Sequence, residues 1–98
     1  MSKIIYKFLH NENSYIGSTT NLKMRCFAHN QHKKQERHKN IKLYKYCNSE
    51  GIDDLRPFIE ILEVIEEEIS KEELREKEQQ YLNQNKPNLN MIKAKRNI

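Results

Sequence analysis

The chain has little of what marks the specialised protein classes: two cysteines, two prolines, two glycines and no tryptophan in 98 residues. Cys26 and Cys47 cannot build the disulfide framework of a small secreted fold, so a reducing, intracellular setting is expected. No apolar run approaches the roughly 18 residues of a membrane span, and the N-terminal residues lack the apolar core of a signal peptide. Low glycine and proline exclude collagen-like and low-complexity chains. With only Gly17, Gly51, Pro57 and Pro87 as punctuation, no linker or repeat divides the sequence, and residues 1–98 read as a single domain. Apolar residues make up only 36%. Five tyrosines, three phenylalanines and clear apolar periodicity nevertheless argue for a folded chain rather than a disordered one.

Charge is abundant and unevenly spread. Residues 1–49 hold ten Lys/Arg against two Asp/Glu, a balance of +8, whereas residues 50–98 hold eight against twelve, a balance of −4; together they make the net +4. A basic half interleaved with Tyr and His suits a polyanion such as nucleic acid better than an acidic ligand. A solvated lysine-rich surface is the plainer explanation of the same charge.

The pattern predicts the order β-β-α-α-β-α. Lys3–Leu9 (KIIYKFL) and Ser14–Ser18 (SYIGS) read as strands joined by the turn residues His10–Asn13, with Gly17 ending the second strand where the backbone passes close to another group. A helix is expected from Asn21 to about Lys34, N-capped by Thr20 or Asn21, with Leu22, Cys26 and Phe27 on its apolar side. A short helix from about Asn40 to Glu50 follows, with Ile41, Tyr44 and Cys47 inward and Gly51 as its stop. Pro57–Ile65 is apolar on both phases of its alternation, as a central strand would be. Ser70 and Glu73 form a capping box that opens a last helix over 71–85, ending before Pro87. Three strands and three helices of this order make a small α/β (α+β) fold in which helices flank a three-stranded antiparallel sheet.

Polar residues at apolar positions carry the chemistry. On the last helix Leu74, Glu78, Tyr81 and Leu82 fall at helical spacing, so Glu78 lies in the apolar stripe; a carboxylate there needs a partner, a metal or a raised pKa. Arg25 and His29, spaced i, i+4, share one edge of the first helix and can both reach one phosphate, with His32 or Lys33 one turn on. Tyr6 and Tyr15 sit mid-strand in the hairpin, where packing is the ordinary role of a tyrosine. Cys26, His29, His38 and Cys47 are the residue types of a structural zinc site, but their spacing fits no standard pattern.

Together these residues resemble the GIY-YIG nuclease domain. Ile4-Ile5-Tyr6 matches the first motif, with Ile4 where the family carries glycine, and Tyr15-Ile16-Gly17 matches the second. Gly17-Ser18-Thr19-Thr20-Asn21-Leu22-Lys23-Met24-Arg25 is similar to the run that leads to the family arginine, and His29 follows four residues later. Glu76–Leu82 resembles the helix segment that bears the metal-binding glutamate, placed here at Glu78, and Asn83–Asn90 is similar to the family's ending. His38 occupies the position of a second histidine, as in the homing-endonuclease subgroup of phages and introns.

The resemblance implies hydrolysis of DNA phosphodiesters. Glu78 would anchor one Mg²⁺, with Mn²⁺ as substitute, and Arg25 would stabilise charge on the phosphoryl oxygens. The general base would be Tyr15, with Tyr6 beside it, or His29; the residues leave that choice open. His38 and Lys39 would position the phosphate or leaving group, Gly17 and Lys33 would lie against substrate, and Asn90 would support the site by hydrogen bonding. DNA is the implied partner, together with a separate DNA-targeting region of the kind homing enzymes carry. Two other functions fit the composition: a non-catalytic nucleic-acid-binding module of the same fold, and a protein–protein adaptor using the acidic segment 60–78.

Overall fold

A computed structural model describes residues 2–38 and 40–90. Strands β1 (Lys3–His10) and β2 (Asn13–Thr19) form an antiparallel hairpin across a two-residue turn, Asn11-Glu12. Both turn residues take positive φ, 48° and 70°, the hand that matches strand twist in tight hairpins. Helices α1 (Leu22–His32) and α2 (Lys42–Glu50) follow, separated by a 3₁₀ turn at Glu36–His38. Strand β3 (Ile59–Ile65) and helix α3 (Lys71–Asn85) complete the order β-β-α-α-β-α. Among the described residues no helix is long and apolar enough to cross a membrane.

The helix ends obey local chemistry. Asn21 caps α1 by accepting from the Met24 N–H, and α2 stops at Gly51, whose φ of 73° is left-handed. The Ser70–Glu73 capping box opens α3, and Lys86, just before Pro87, closes it. The apolar side of α1 differs from expectation: Cys26 and His29 are buried, whereas Phe27 is 58% exposed. The helix therefore turns a polar edge, the one bearing His29, toward the sheet.

The strand order is β2-β1-β3, all antiparallel, so β1 is central and β3 is an edge strand rather than the expected central one. Ile5, Tyr6 and Phe8 of β1 are fully buried, covered from both faces, whereas Ile61 and Val64 of β3 are about half exposed. The apolar residues on both phases of β3 have another cause. Pairing jumps from Tyr6↔Ile61 to Ile5↔Glu63, leaving Leu62 as an extra residue, and the alternation changes phase there. Pro57 and Phe58 lie outside β3, in a 3₁₀ turn over Arg56–Phe58.

Alternation sends Tyr6 and Phe8 to one face of the sheet and Ile5 to the other. Phe8 packs with Leu43, Tyr44 and Cys47 of α2 and with Ile52, Leu55 and Leu89. Ile5, Ile16 and Ile65 pack beneath Leu74, Tyr81 and Leu82 of α3. The outer edge of β2 is closed by the segment after α3. Asn88 accepts from the Ser14 N–H at 2.9 Å, the Leu89 N–H donates to the Ser14 carbonyl at 2.9 Å, and the Asn90 amide exchanges two 2.8 Å bonds with the Ile16 backbone. A side-chain amide thus stands where a fourth strand would pair. Because Ile16 is fully buried, Asn90→Ala would strand both of its backbone groups and lower stability by on the order of 2 kcal/mol, read from the urea midpoint; an unchanged midpoint would refute the clamp.

Candidate active site

Three elements bring the aromatic and basic side chains together. Tyr6 from β1 and Tyr15 from β2 share one face of the hairpin with Gly17, which pairs directly with Tyr6. A Cβ on Gly17 would stand 2.6 Å from the Tyr6 hydroxyl oxygen and 3.1 Å from Cε1 of Tyr15. Gly17 is therefore required for the space it leaves, in the middle of β2 rather than at its end.

His29 reaches down from α1 into that space. Its Nε2 lies 2.9 Å from the Tyr6 hydroxyl and its Nδ1 lies 2.8 Å from the hydroxyl of Tyr44 on α2. The Tyr15 ring meets the imidazole edge-on, with centroids 5.8 Å apart. Arg25, one turn earlier on α1, lies with its guanidinium beside the Tyr6 and Tyr15 hydroxyls, close enough for its charge to act on Tyr6. One arginine thus stands beside two phenols, and a histidine is hydrogen-bonded behind one of them.

Burial controls the protonation states. His29 is 3% exposed, and loss of solvent, with the charge of Arg25 beside it, lowers its pKa from 6.5 to about 4. Burial, reinforced by Tyr15, pushes the Tyr6 phenol well above its usual range, while Arg25 pulls the other way. Burial likewise raises Tyr44 to about 12. For Arg25 itself partial burial opposes the charge, but the neighbouring tyrosine hydroxyls outweigh that and hold the guanidinium charged. At neutral pH the group is a neutral histidine between two neutral phenols, with one fixed cation at its mouth.

Glu78 approaches from the other side. Its Oε1 accepts from the Ser18 hydroxyl at 2.9 Å. Ser18 pairs with Ile5 and so faces α3, opposite to Tyr15 and Gly17. The carboxylate and the tyrosine–histidine group therefore approach adjacent residues, Ser18 and Gly17, from the two faces of β2. Glu78 is half-buried, and its Oε2 has no hydrogen-bond partner among the described residues. One oxygen held and one free suits a single-carboxylate anchor for a hard divalent cation that keeps several waters.

The remaining residues singled out in the sequence fall elsewhere. Lys33 is 5% exposed and caps the end of α1, so it does not face solvent as a phosphate-holding lysine would. Lys39 lies outside the described residues. The Asn90 side chain is engaged by both its oxygen and its nitrogen with Ile16, supporting the strand that bears Tyr15 rather than presenting itself to a ligand. The His38 ring lies against His32, with centroids 4.7 Å apart, and edge-on to Tyr44 at 6.3 Å. Its Nε2 is buried without a hydrogen-bond partner. For zinc the geometry is unfavourable. Both ring nitrogens of His29 hold tyrosines, burial keeps the Cys26 and Cys47 thiols protonated, and among the described residues no three His, Cys, Asp or Glu side chains converge.

Ser18 and Tyr44 are the participants that sequence reasoning passed over. Ser18 stands inside a quoted motif without a side-chain role, and Tyr44 reads as an ordinary inward residue of α2. The available signal at Tyr44 is its hydroxyl, since a buried phenol needs a polar partner that phenylalanine would not.

A family model described as the GIY-YIG catalytic domain matches residues 2–92. No curated protein and no solved structure matches the chain.

Two outcomes test this geometry. Gly17→Ala should cost about 2 kcal/mol by overpacking the Tyr6 hydroxyl, and a wild-type melting curve would contradict the close approach. His29 bears on acid stability. Its folded pKa of about 4 lies below the unfolded value of 6.5, so the unfolded chain binds more protons between those pH values and stability falls as pH drops through them. By pH 5 the loss is on the order of 2 kcal/mol. His38, also lowered, adds to it with the same sign. His29→Gln should flatten the wild-type decline in urea midpoint between pH 7 and 5; parallel curves would exclude a buried neutral histidine.

Proposed function

Given that the chain belongs to the GIY-YIG family of nuclease catalytic domains, we propose that it is a divalent-metal-dependent DNA endonuclease that cleaves at the mouth of the Arg25–Tyr6–Tyr15 group. The observation that carries this reading is the convergence of one guanidinium on two tyrosine hydroxyls, with His29 hydrogen-bonded behind Tyr6. A binding module needs exposed charge and has no use for a charged arginine, two phenols and an enclosed imidazole gathered in one cluster.

Hydrolysis requires a deprotonated water, stabilisation of charge on the phosphoryl oxygens, and departure of the 3′ oxygen. Arg25 offers a planar fork of donors to the non-bridging oxygens as their charge grows, an effect worth about 3 kcal/mol where such donors have been removed from other active sites. Tyr15 is the half-buried phenol, within reach of solvent and beside Arg25, so its oxygen is the one placed to take the proton of the attacking water. His29, enclosed and with both nitrogens engaged, takes a proton only by way of Tyr6. That arrangement favours Tyr15 as the base that meets water, with Tyr6 and His29 as a hydrogen-bonded support. The new bond joins the water oxygen to phosphorus, the P–O3′ bond breaks, and the released 3′ oxygen gains a proton from solvent. Glu78 would hold Mg²⁺ or Mn²⁺, which when bound supplies Lewis acidity to the phosphoryl and leaving oxygens.

Attraction to DNA would come from Lys23, Lys34, Arg37, Lys42 and Lys45, all exposed on the segment that carries α1 and α2. The exposed row Arg75, Gln79 and Asn83 on α3 is flanked by Glu72 and Glu76, whose charge opposes a phosphate backbone, so binding would be salt-dependent and tolerant of sequence. The test is nicking of supercoiled plasmid with Mg²⁺ or Mn²⁺, beside an EDTA control and folded Glu78→Ala and Arg25→Ala variants. The expected result is metal-dependent nicking reduced about 100-fold or more in both variants. Salt-sensitive DNA binding with no nicking would replace the endonuclease by a binding module.

A further inference from the structure

Tyr44 belongs to no motif, yet its ring touches three histidines. The centroid of His29 is 5.7 Å away, that of His38 6.3 Å and that of His32 6.4 Å. Its hydroxyl lies 2.8 Å from His29 Nδ1, and the side chain is 4% exposed. The hydrogen bonds around His29 can be assigned by counting donors. A neutral imidazole carries one N–H and one bare nitrogen, so of the two tyrosine hydroxyls one donates to the ring and the other accepts from it. Tyr6 is fully enclosed, and its single O–H has no acceptor other than His29 Nε2 among the described residues. If Nε2 carried the proton, the Tyr6 O–H would be stranded in a dry interior. Tyr6 therefore donates to Nε2, the proton of His29 sits on Nδ1, and Nδ1–H donates to Tyr44, the less completely enclosed of the two tyrosines.

We infer that Tyr44 is a positioning residue that holds His29 in the Nδ1–H tautomer and so keeps Nε2 a bare acceptor facing Tyr6. The consequence for catalysis rests on the endonuclease reading above; the tautomer does not. With Nε2 bare, the Tyr6 O–H is committed to the imidazole and the lone pairs of its oxygen are left to face Arg25, so the path from Arg25 through Tyr6 to His29 runs in one direction. With the proton on Nε2 that path is closed. The direction of the chain, from Arg25 to Tyr6 to His29 to Tyr44, is thus set at its far end by a residue that touches neither substrate nor metal. His32 and His38 flank the Tyr44 ring and hold it in place.

The test combines a spectroscopic and a kinetic measurement. Long-range ¹H–¹⁵N correlation spectra of the imidazole nitrogens should show the protonated-nitrogen shift at Nδ1 of His29 in the wild-type chain at neutral pH. Tyr44→Phe, which keeps the ring and its packing, should convert this to a mixture containing the Nε2–H form. A wild-type His29 found as Nε2–H overturns the inference without any variant, and so does an Nδ1–H signature that Tyr44→Phe leaves intact. In the nicking assay Tyr44→Phe should lower kcat about tenfold, the scale of one lost hydrogen bond, with KM for plasmid unchanged. A folded Tyr44→Phe with wild-type kcat removes the catalytic role. A wild-type chain that never nicks DNA refutes the endonuclease reading, while the nitrogen spectra still decide what Tyr44 does to His29.

Discussion

The hydrogen bond between Tyr6 and His29 is the contact on which the rest of the site depends. It joins the central strand to α1 through a dry interior, where a neutral pair holds firmly and an unpaired partner would be costly. Gly17 makes it possible, because any side chain there would occupy the volume of the Tyr6 hydroxyl. Once His29 is fixed, the helix has no freedom to rotate, and Arg25, on the same edge one turn earlier, is delivered to both tyrosines. Capping of α1 by Asn21 sets where that helix begins and hence the height at which both side chains reach the sheet.

The site straddles an edge rather than filling a pocket. Tyr15 and Gly17 belong to one face of β2 and Ser18 to the other, so the carboxylate of Glu78 and the guanidinium of Arg25 are carried by helices on opposite sides of the sheet. Such an arrangement suits a long substrate that runs past an edge. It also demands that the edge strand keep its position, and the Asn88–Asn90 segment does this with four hydrogen bonds to Ser14 and Ile16. Asn90 thus acts on the site at one remove, through the backbone that presents Tyr15.

Much of the fold was legible because local signals were strong. The capping box at Ser70, the stop at Gly51, the N-cap at Asn21 and the turn residues between β1 and β2 all act over a few residues, and all appear where expected. The strand order was not legible in β3, because its bulge at Leu62 switches the alternation phase and imitates burial on both faces. The inward side of α1 was misjudged for a related reason. Hydropathy places Phe27 inside and His29 outside, but an imidazole with two phenols as partners is satisfied in the interior, and the helix rotates to suit it.

Residue types and their spacing determined, without any coordinates, that Arg25 and His29 share one edge of α1, that Glu78 falls in the apolar stripe of α3 and that Tyr6 and Tyr15 sit within the hairpin strands. They determined it because i, i+4 spacing and strand alternation are consequences of backbone geometry alone. The resemblance to the GIY-YIG domain drew the five into one candidate site. Tertiary structure decided which of those groups touch. It enclosed His29 between Tyr6 and Tyr44, set Arg25 beside two hydroxyls, set Glu78 against Ser18 on the opposite face of the sheet, buried Lys33 and engaged Asn90 with backbone. These outcomes hang on contacts between residues far apart in the chain, up to 74 positions for Asn90 and Ile16. Burial and partnership, which set every protonation state in the site, exist only after those contacts have formed.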